Sequence, residues 1–365
     1  MRISILDPAL RMLEGHFTDL DLRLAAHWVA QGHSVTVHCQ KNAPATLDPL
    51  FASAKASLRR TFTVPSADWR KPGFDDVERL RLVAAAYHHD LLNLEAADLM
   101  VWPSASSACA MAHALYGLKT PAVFAIFESP GAISIAGPGA FAAAQDYMRL
   151  RRQKVVWGLH VEDFKPIWSS ILGPENIELL PYPTAGKPLT RKPSRPLRIG
   201  LTGAFRTERR IDLLLPLIER LLGKGFAVNL QDSRGDVPAF SHDRLQRFGF
   251  LQDITPVIAA CDLIIWPAVT ARYMSRPSGI VAESIACGVP LVMSSACYRS
   301  EMAIKQGAAV FFQRPYLDEV LEATDKAAKQ IEALREKALA RAKRWNAKHG
   351  LKRLADRIVE LAGMG

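Results

Sequence analysis

Only five cysteines occur in 365 residues: Cys39, Cys109, Cys261, Cys287 and Cys297. They are scattered and odd in number, and none forms a C-x-x-C pair or a Cys/His cluster with zinc spacing, so neither a disulfide framework nor a structural zinc is expected. No apolar run approaches the roughly 20 residues needed to cross a bilayer. The opening MRISILDPAL has one basic residue before Asp7 and reads as a first strand, not a secretory leader. Nothing is low in complexity, and aromatics are only 8%. Together these absences leave a reduced, cytoplasmic, globular chain as the expectation.

The hydrophobic share is 49% and the charged share 22%, which suits a packed core. The length is comfortable for two domains. The net charge of +10 is unevenly spread. Residues 1–185 carry 17 basic against 18 acidic side chains, and residues 186–365 carry 29 against 18. The basic residues are dispersed and no RNA- or DNA-binding motif accompanies them, so an anionic small ligand explains the bias better than nucleic acid.

The richest segment is CDLIIWPAVTARYMSRPSGIVAESIACGVPLVM, residues 261–293. It reads as a buried strand, a loop, a helix opening at Pro277-Ser278-Gly279, and a second buried strand. A helix start with a small Ser-Gly pair exposes its free amides and lets an anion come close. Glu283, about one turn further in, can accept hydrogen bonds from sugar hydroxyls. The alternative is an ordinary cap followed by a solvated acid.

The same plan echoes in the first half. Asp98–Pro103 leads through Ser104–Ser107 into an alanine-rich helix, then Gly117, Pro121 and the apolar run Ala122–Ile126. In the second half Asp262–Pro267, the helix at Ser278, Gly288, Pro290 and Leu291–Met293 repeat it. Continuous apolar strands separated by helices imply parallel sheets covered on both faces. Strands are expected at Arg2–Leu6, Ser34–Cys39, Leu197–Thr202, Phe226–Leu230 and Leu245–Leu251. Helices are expected at Leu22–Gln31 and Ile211–Leu222, with packed helices from Tyr316 onward. Trp102 and Trp266 read as core residues at strand ends.

Three segments carry a family resemblance. Gly15-His16-Phe17, followed by a helix and Gly32-His33-Ser34-Val35, is one. Leu201-Thr202-Gly203 through Arg209-Arg210 and Leu213–Leu215 is the second. The third is Phe248-Gly249-Phe250 through Ala260-Cys261-Asp262 and Pro267, ending in Glu283-Ser284-Ile285-Ala286-Cys287-Gly288-Val289-Pro290. In this order they resemble the GT-B glycosyltransferases, specifically the large retaining group that uses nucleotide-activated sugars and no metal.

The resemblance implies an α/β chain of two facing Rossmann-like doubly wound domains, with C-terminal helices. Residues 1–185 would form the acceptor domain, 186–196 a linker, 197–342 the donor-nucleotide domain, and 343–365 a helix packing back toward the first domain. Ligands would bind beyond the carboxyl ends of the strands, in the cleft. Glu283 matches the second glutamate of the family's paired motif, expected on the ribose hydroxyls. Arg209 stands where the family has a diphosphate-binding lysine, with Arg206 nearby. Ser278 and Gly279 would offer backbone amides to the same diphosphate, beside Gly203. His16, with Gly15, lies in the loop facing sugar and acceptor, and Glu128 falls where the family often has a histidine. His16, Arg206 and Arg209 are the catalytic candidates.

The implied reaction moves a hexosyl group from a UDP- or GDP-sugar to an acceptor hydroxyl on a glycan, a lipid-linked glycan or a small molecule. No cofactor or metal is expected, and no nucleic-acid partner. A peripheral contact at the inner membrane face is a further expectation. The sequence departs from the family where Ser275 replaces the first motif glutamate and Ala204 an arginine. These departures keep two alternatives open: a catalytically silent nucleotide-sugar-binding or scaffold protein, and a nucleotide-sugar epimerase.

Overall fold

The computed structural model describes every residue except 14–15, 65–74, 118, 131–135, 204–209, 234, 239, 269–272, 274–276, 296–306 and 364–365, and the side chain of His16. The chain divides into two compact units. Unit 1 is Met1–Pro183 with Leu351–Gly365, and unit 2 is Thr184–Gly350.

Unit 1 holds strands β1 (Arg2–Leu6), β2 (Ser34–Gln40), β3 (Ser57–Phe62), β4 (Leu99–Trp102), β5 (Ala122–Ile126), β6 (Val155–Leu159) and β7 (Ile177–Leu179). They form one parallel sheet in the order β3-β2-β1-β4-β5-β6-β7. The helices are α1 (His16–Ala30), α2 (Asp48–Ser53), α3 (Asp76–Leu91), α4 (Ser107–Tyr116), α5 (Gly137–Leu150) and α6 (Lys165–Leu172). One face buries Ile3, Ile5, Val35 and Val37 beneath α1, whose Leu20, Leu24 and Trp28 recur at helical spacing. The other face buries an aromatic row against α3–α6, with Trp102 stacked on Phe124 and Phe124 tilted against Trp157, ring centroids 5.9 and 4.7 Å apart. Helix α1 starts six residues before the expected Leu22. Thr18, whose hydroxyl donates to the Met12 carbonyl at 2.6 Å, and Asp19, paired with Arg23 at 2.7 Å, suit a first turn that apolar periodicity alone does not reveal.

Unit 2 holds β8 (Arg198–Leu201), β9 (Ala227–Gln231), β10 (Leu245–Phe248), β11 (Leu263–Trp266), β12 (Leu291–Ser294) and β13 (Ala309–Phe312). They make a second parallel sheet, ordered β10-β9-β8-β11-β12-β13. Its helices are α7 (Ile211–Gly223), α8 (Thr255–Ala259), α9 (Gly279–Ala286), α10 (Leu317–Lys329) and α11 (Ile331–Lys348). Both sheets have the doubly wound order in which the first strand lies inside and the winding reverses beside it.

The internal echo is structural. Each repeat runs from a four-residue buried strand (β4 or β11) to a helix (α4 or α9), and each helix is followed by a left-handed glycine, Gly117 at φ 74° and Gly288 at φ 70°. At Gly288 a Cβ would also stand 3.0 Å from Leu339 on α11, so this turn needs both the backbone freedom and the missing side chain. Trp102 and Trp266 are buried at their strand ends.

The expected boundaries shift. Residues 186–196 belong with unit 2. The chain returns to unit 1 after Gly350, not at residue 343, because α11 runs unbroken to Lys348 and Gly350 then turns at φ 121°. The last helix, α12 (Leu351–Gly363), packs on α1 in unit 1 through Leu354, Ala355, Ile358 and Leu361. Asp356 meets His27 at 2.8 Å, and the Trp28 indole donates to the Ala355 carbonyl.

Candidate donor site

In a parallel sheet the carboxyl ends of the strands share one edge. On that edge of unit 2 stand Gly203 just after β8, Gln231 closing β9, Trp266 closing β11, and the start of α9. Gly203 is buried at φ 86°, and its amide donates to the Gln231 side-chain oxygen at 2.6 Å. Gln231 is therefore a fixed part of this edge, and the sequence reading did not pick it out. A polar end to an apolar strand was the available signal.

Helix α9 begins as the spacing predicts. Ser278 is its N-cap, in extended conformation, and its hydroxyl makes no capping hydrogen bond. Pro277 before it is buried, and Gly279 after it is exposed, with open space where a Cβ would be. The first amides of a helix have no partner inside it, so they point at whatever approaches. With no side chain on Gly279 and no cap from Ser278, nothing among the described residues at the helix start blocks an anion.

Glu283 is half-buried on the second turn of α9. Its carboxylate accepts from the amide of Ala185 at 3.1 and 3.2 Å and from that of Gly186 at 2.9 Å. A Cβ on Gly186 would lie 2.6 Å from the Cys287 sulfur, so only glycine lets this segment come so close to the helix. Glu283 thus anchors the start of unit 2. Sequence reasoning assigned it a ribose contact and missed this anchor, because its partners lie 97 and 98 residues away. The Thr-Ala-Gly run at 184–186 was the faint trace of a close approach.

Asp262, at the start of β11, ties the same stretch further along. It is fully buried, receives Arg191 at 2.8 Å and Arg335 at 3.3 Å, and accepts from the amides of Ser194 and Arg198. Arg210 precedes α7 at φ 53° and is held by Asp212 through contacts of 2.6–3.1 Å. Arg206, Arg209 and Ala204 lie outside the described residues, as does Ser275.

In unit 1 the corresponding edge carries Asp7 after β1, Glu128 after β5 and His160 after β6. Gly15 and the His16 side chain lie outside the described residues; the His16 backbone opens α1. Glu128 is half-buried and its carbonyl accepts from the Trp168 indole at 3.0 Å. No histidine follows β5, but the next strand supplies one: His160 stacks on Phe127 with centroids 4.0 Å apart and bonds the Pro181 carbonyl through Nδ1 at 2.9 Å.

Asp7 and Asp21 are both buried, and each carboxyl feels the charge of the other. The Asp7 Oδ1 also accepts from the Ala9 amide at 2.7 Å. Burial pushes the Asp7 carboxyl up to about 7 and raises Asp21 well above the usual carboxylate range, with the negative charge of Asp7 adding to the rise. A carboxyl pair buried in this way keeps a proton to higher pH than a solvated one.

Among the described residues no group of three or more His, Cys, Asp or Glu side chains is placed to hold a metal ion, and no helix is long and apolar enough to cross a membrane.

No protein-family model matches the chain, and no curated protein matches its sequence. Solved structures do match. HepE of Anabaena, crystallised with UDP-glucose, aligns over 100% of both chains with a TM-score of 0.65 at 13% identity. Sucrose-phosphate synthase from Thermosynechococcus elongatus aligns over 100% of this chain and 98% of its own, with a TM-score of 0.69 at 12% identity. The calicheamicin glycosyltransferase CalG4 aligns over 99% and 98%, with a TM-score of 0.60 at 16% identity. At such identities the likeness is one of fold, and the chain has the GT-B fold.

Proposed function

We propose that this protein transfers a sugar from a nucleoside diphosphate sugar to an acceptor hydroxyl. The observation that carries the reading is the open start of α9: an uncapped Ser278, a bare Gly279, and Glu283 one turn on. The fold likeness to HepE, which was crystallised with UDP-glucose, supports a nucleotide-sugar donor.

In this reading the diphosphate rests on the amides at Ser278-Gly279, close to Gly203, while Arg206 and Arg209 add positive charge. As the sugar leaves, charge grows on the departing phosphate. Fixed helix dipoles at that point, with the positive charge of nearby arginines, would lower the barrier. No metal is needed for that task. Glu283 is assigned to the ribose hydroxyls, as the family resemblance implies. His16 and Glu128 are assigned to the acceptor side. Retention of configuration and hexosyl transfer from UDP- or GDP-sugars are the finer parts of the proposal, with a glycan, lipid-linked glycan or small molecule as acceptor. Leu150 and Arg149, 77% and 73% exposed at the end of α5, would suit a peripheral contact with an anionic membrane.

The assay is release of nucleoside diphosphate from UDP-, GDP- and ADP-sugars, with and without pooled acceptors, in EDTA. Acceptor-dependent release from one donor is expected. Interconversion of the free donor would identify an epimerase instead. Binding without turnover would favour the silent reading, which the engagement of Glu283 by the 185–186 amides motivates.

A further inference from the structure

The helices over the aromatic face of unit 1 run opposite to the strands they feed. α3, α4 and α5 pack side by side, and their last turns lead into β4, β5 and β6, so all three end at the amino edge of the sheet. Each carries an exposed leucine at its end: Leu92 at 56%, Leu115 at 40% and Leu150 at 77%. Tyr147, one turn before Leu150, is exposed as well. A single exposed leucine needs no explanation, but three on neighbouring helix ends give this edge an apolar character.

The same edge is cationic. Residues 1–185 as a whole carry 17 basic against 18 acidic side chains. At this edge Arg2, Arg59 and Arg149 are paired with Asp98, Glu95 and Asp146. Lys119 after α4, and Arg151, Arg152 and Lys154 after α5, are exposed and have no ion pair among the described residues. Glu175, on the turn leading into β7, opposes them, and its carboxylate already accepts from the Asn176 side-chain amide at 3.0 Å. Four unpaired cations thus stand against one acid.

Arg152 is the telling residue. α5 closes with the Arg152 amide on the Arg149 carbonyl at 3.0 Å and the Gln153 amide on the Met148 carbonyl at 2.9 Å, a turn that holds Arg152 at φ 54°. Such a position favours glycine, and neighbouring α4 supplies one, Gly117 at φ 74°. Glycine at 152 would serve the fold better, so the arginine answers to something else. A helix dipole favours cations near its C-terminus, but it does not account for the exposed leucines among them. Arg151 is fixed in place: its guanidinium fills the space that a Cβ on Gly117 would take and lies 4.7 Å from the centroid of the Tyr147 ring.

We propose that these helix ends dock on an anionic bilayer, with Leu150, Leu115 and Tyr147 in the headgroup region and Lys119, Arg151, Arg152 and Lys154 on lipid phosphates. Leucines interleaved with a tyrosine and long cations suit that boundary. A folded protein partner would instead need an interface core depleted of charge. The amino edge lies opposite the edge of Glu128 and His160, so docking leaves the acceptor side of unit 1 uncovered. This deepens, and rests on, the peripheral contact proposed with the function; the donor site lies in unit 2 and is tested by nucleotide alone.

The test is sedimentation of the full chain with vesicles of phosphatidylcholine alone and of an equal mixture with phosphatidylglycerol, with thermal shifts by nucleotide read on the same protein. Binding to the mixed vesicles is expected to be about a hundredfold tighter than to the neutral ones, since each cation near an anionic surface is worth roughly fivefold. High salt should weaken it. Arg152→Gly/Lys154→Ser should weaken it about 25-fold without lowering the melting temperature. Leu150→Ser should weaken it several-fold and do so in high salt too. Equal binding to both vesicles, or undiminished binding by the double variant, would overturn the proposal. So would tighter binding to polyglutamate than to vesicles, the mark of an acidic protein partner. No vesicle binding beside an intact nucleotide shift would sink the docking face and not the donor site.

Discussion

Replacing Asp262 with alanine is expected to destabilise unit 2 by about 3–5 kcal/mol, the usual cost of leaving a buried ion-pair partner uncompensated. Asp262 has no exposed surface, and Arg335 beside it is only 5% exposed. Removing the carboxylate leaves that guanidinium facing Arg191, whose charge already works with burial to lower the Arg335 pKa. It also strands the amides of Ser194 and Arg198. The lesion is thus one charge and two backbone donors, at the point where the 191–198 segment meets β11 and α11. Hydrogen exchange in β8 and β11 measures it: protection should fall there and persist in the sheet of unit 1. Unaltered protection would mean that the ion-pair cluster contributes little.

The opposite sign is expected at Asp21. Both members of the Asp7–Asp21 pair titrate above their unfolded values, so the folded chain holds more protons than the unfolded one from about pH 4 upward. Stability is therefore greatest on the acid side and falls as the pH rises through 7. The rise of Asp7 from 3.8 to about 7 corresponds to roughly 4 kcal/mol lost across that window. Among the described residues no cation offsets the loss. The thiols that feel the pair, Cys39 and Cys109, are themselves pushed up to about 11 and stay neutral. Asp21→Asn removes one charge and presents an amide donor to Asp7. The variant should melt several degrees higher than the parent at pH 8 and level with it near pH 4.5. Melting curves across pH read this directly. A variant less stable at pH 8 would mean that the pair is a stabilising feature.

Much of the architecture was legible because buried parallel strands announce themselves. DLMVWP and DLIIWP each carry four apolar residues between an acid and a proline, and each leads through a helix and a glycine to another apolar run. The outer strands were harder. β7 (IEL) and the polar β3 (SLRRTF) have mixed patterns because edge strands are buried only in part, while β6 (VVWGL) and β13 (AVFF) are short apolar runs without the flanking acid and proline that marked β4 and β11. At the donor site the helix start at Ser278 could be read, since Pro, Ser and Gly act locally. The grip of Glu283 on Ala185 and Gly186, and the pairing of Asp7 with Asp21, could not, since both arise from packing between segments distant in the chain.

The central claim is that a diphosphate docks on the open start of α9 without help from a metal. Thermal shifts with UDP, GDP and ADP in EDTA, for the parent chain and for Glu283→Ala, test it most directly. The account predicts stabilisation by one of the three nucleotides and a much smaller shift in the variant. No shift with any nucleotide, or an equal shift in both chains, would contradict it.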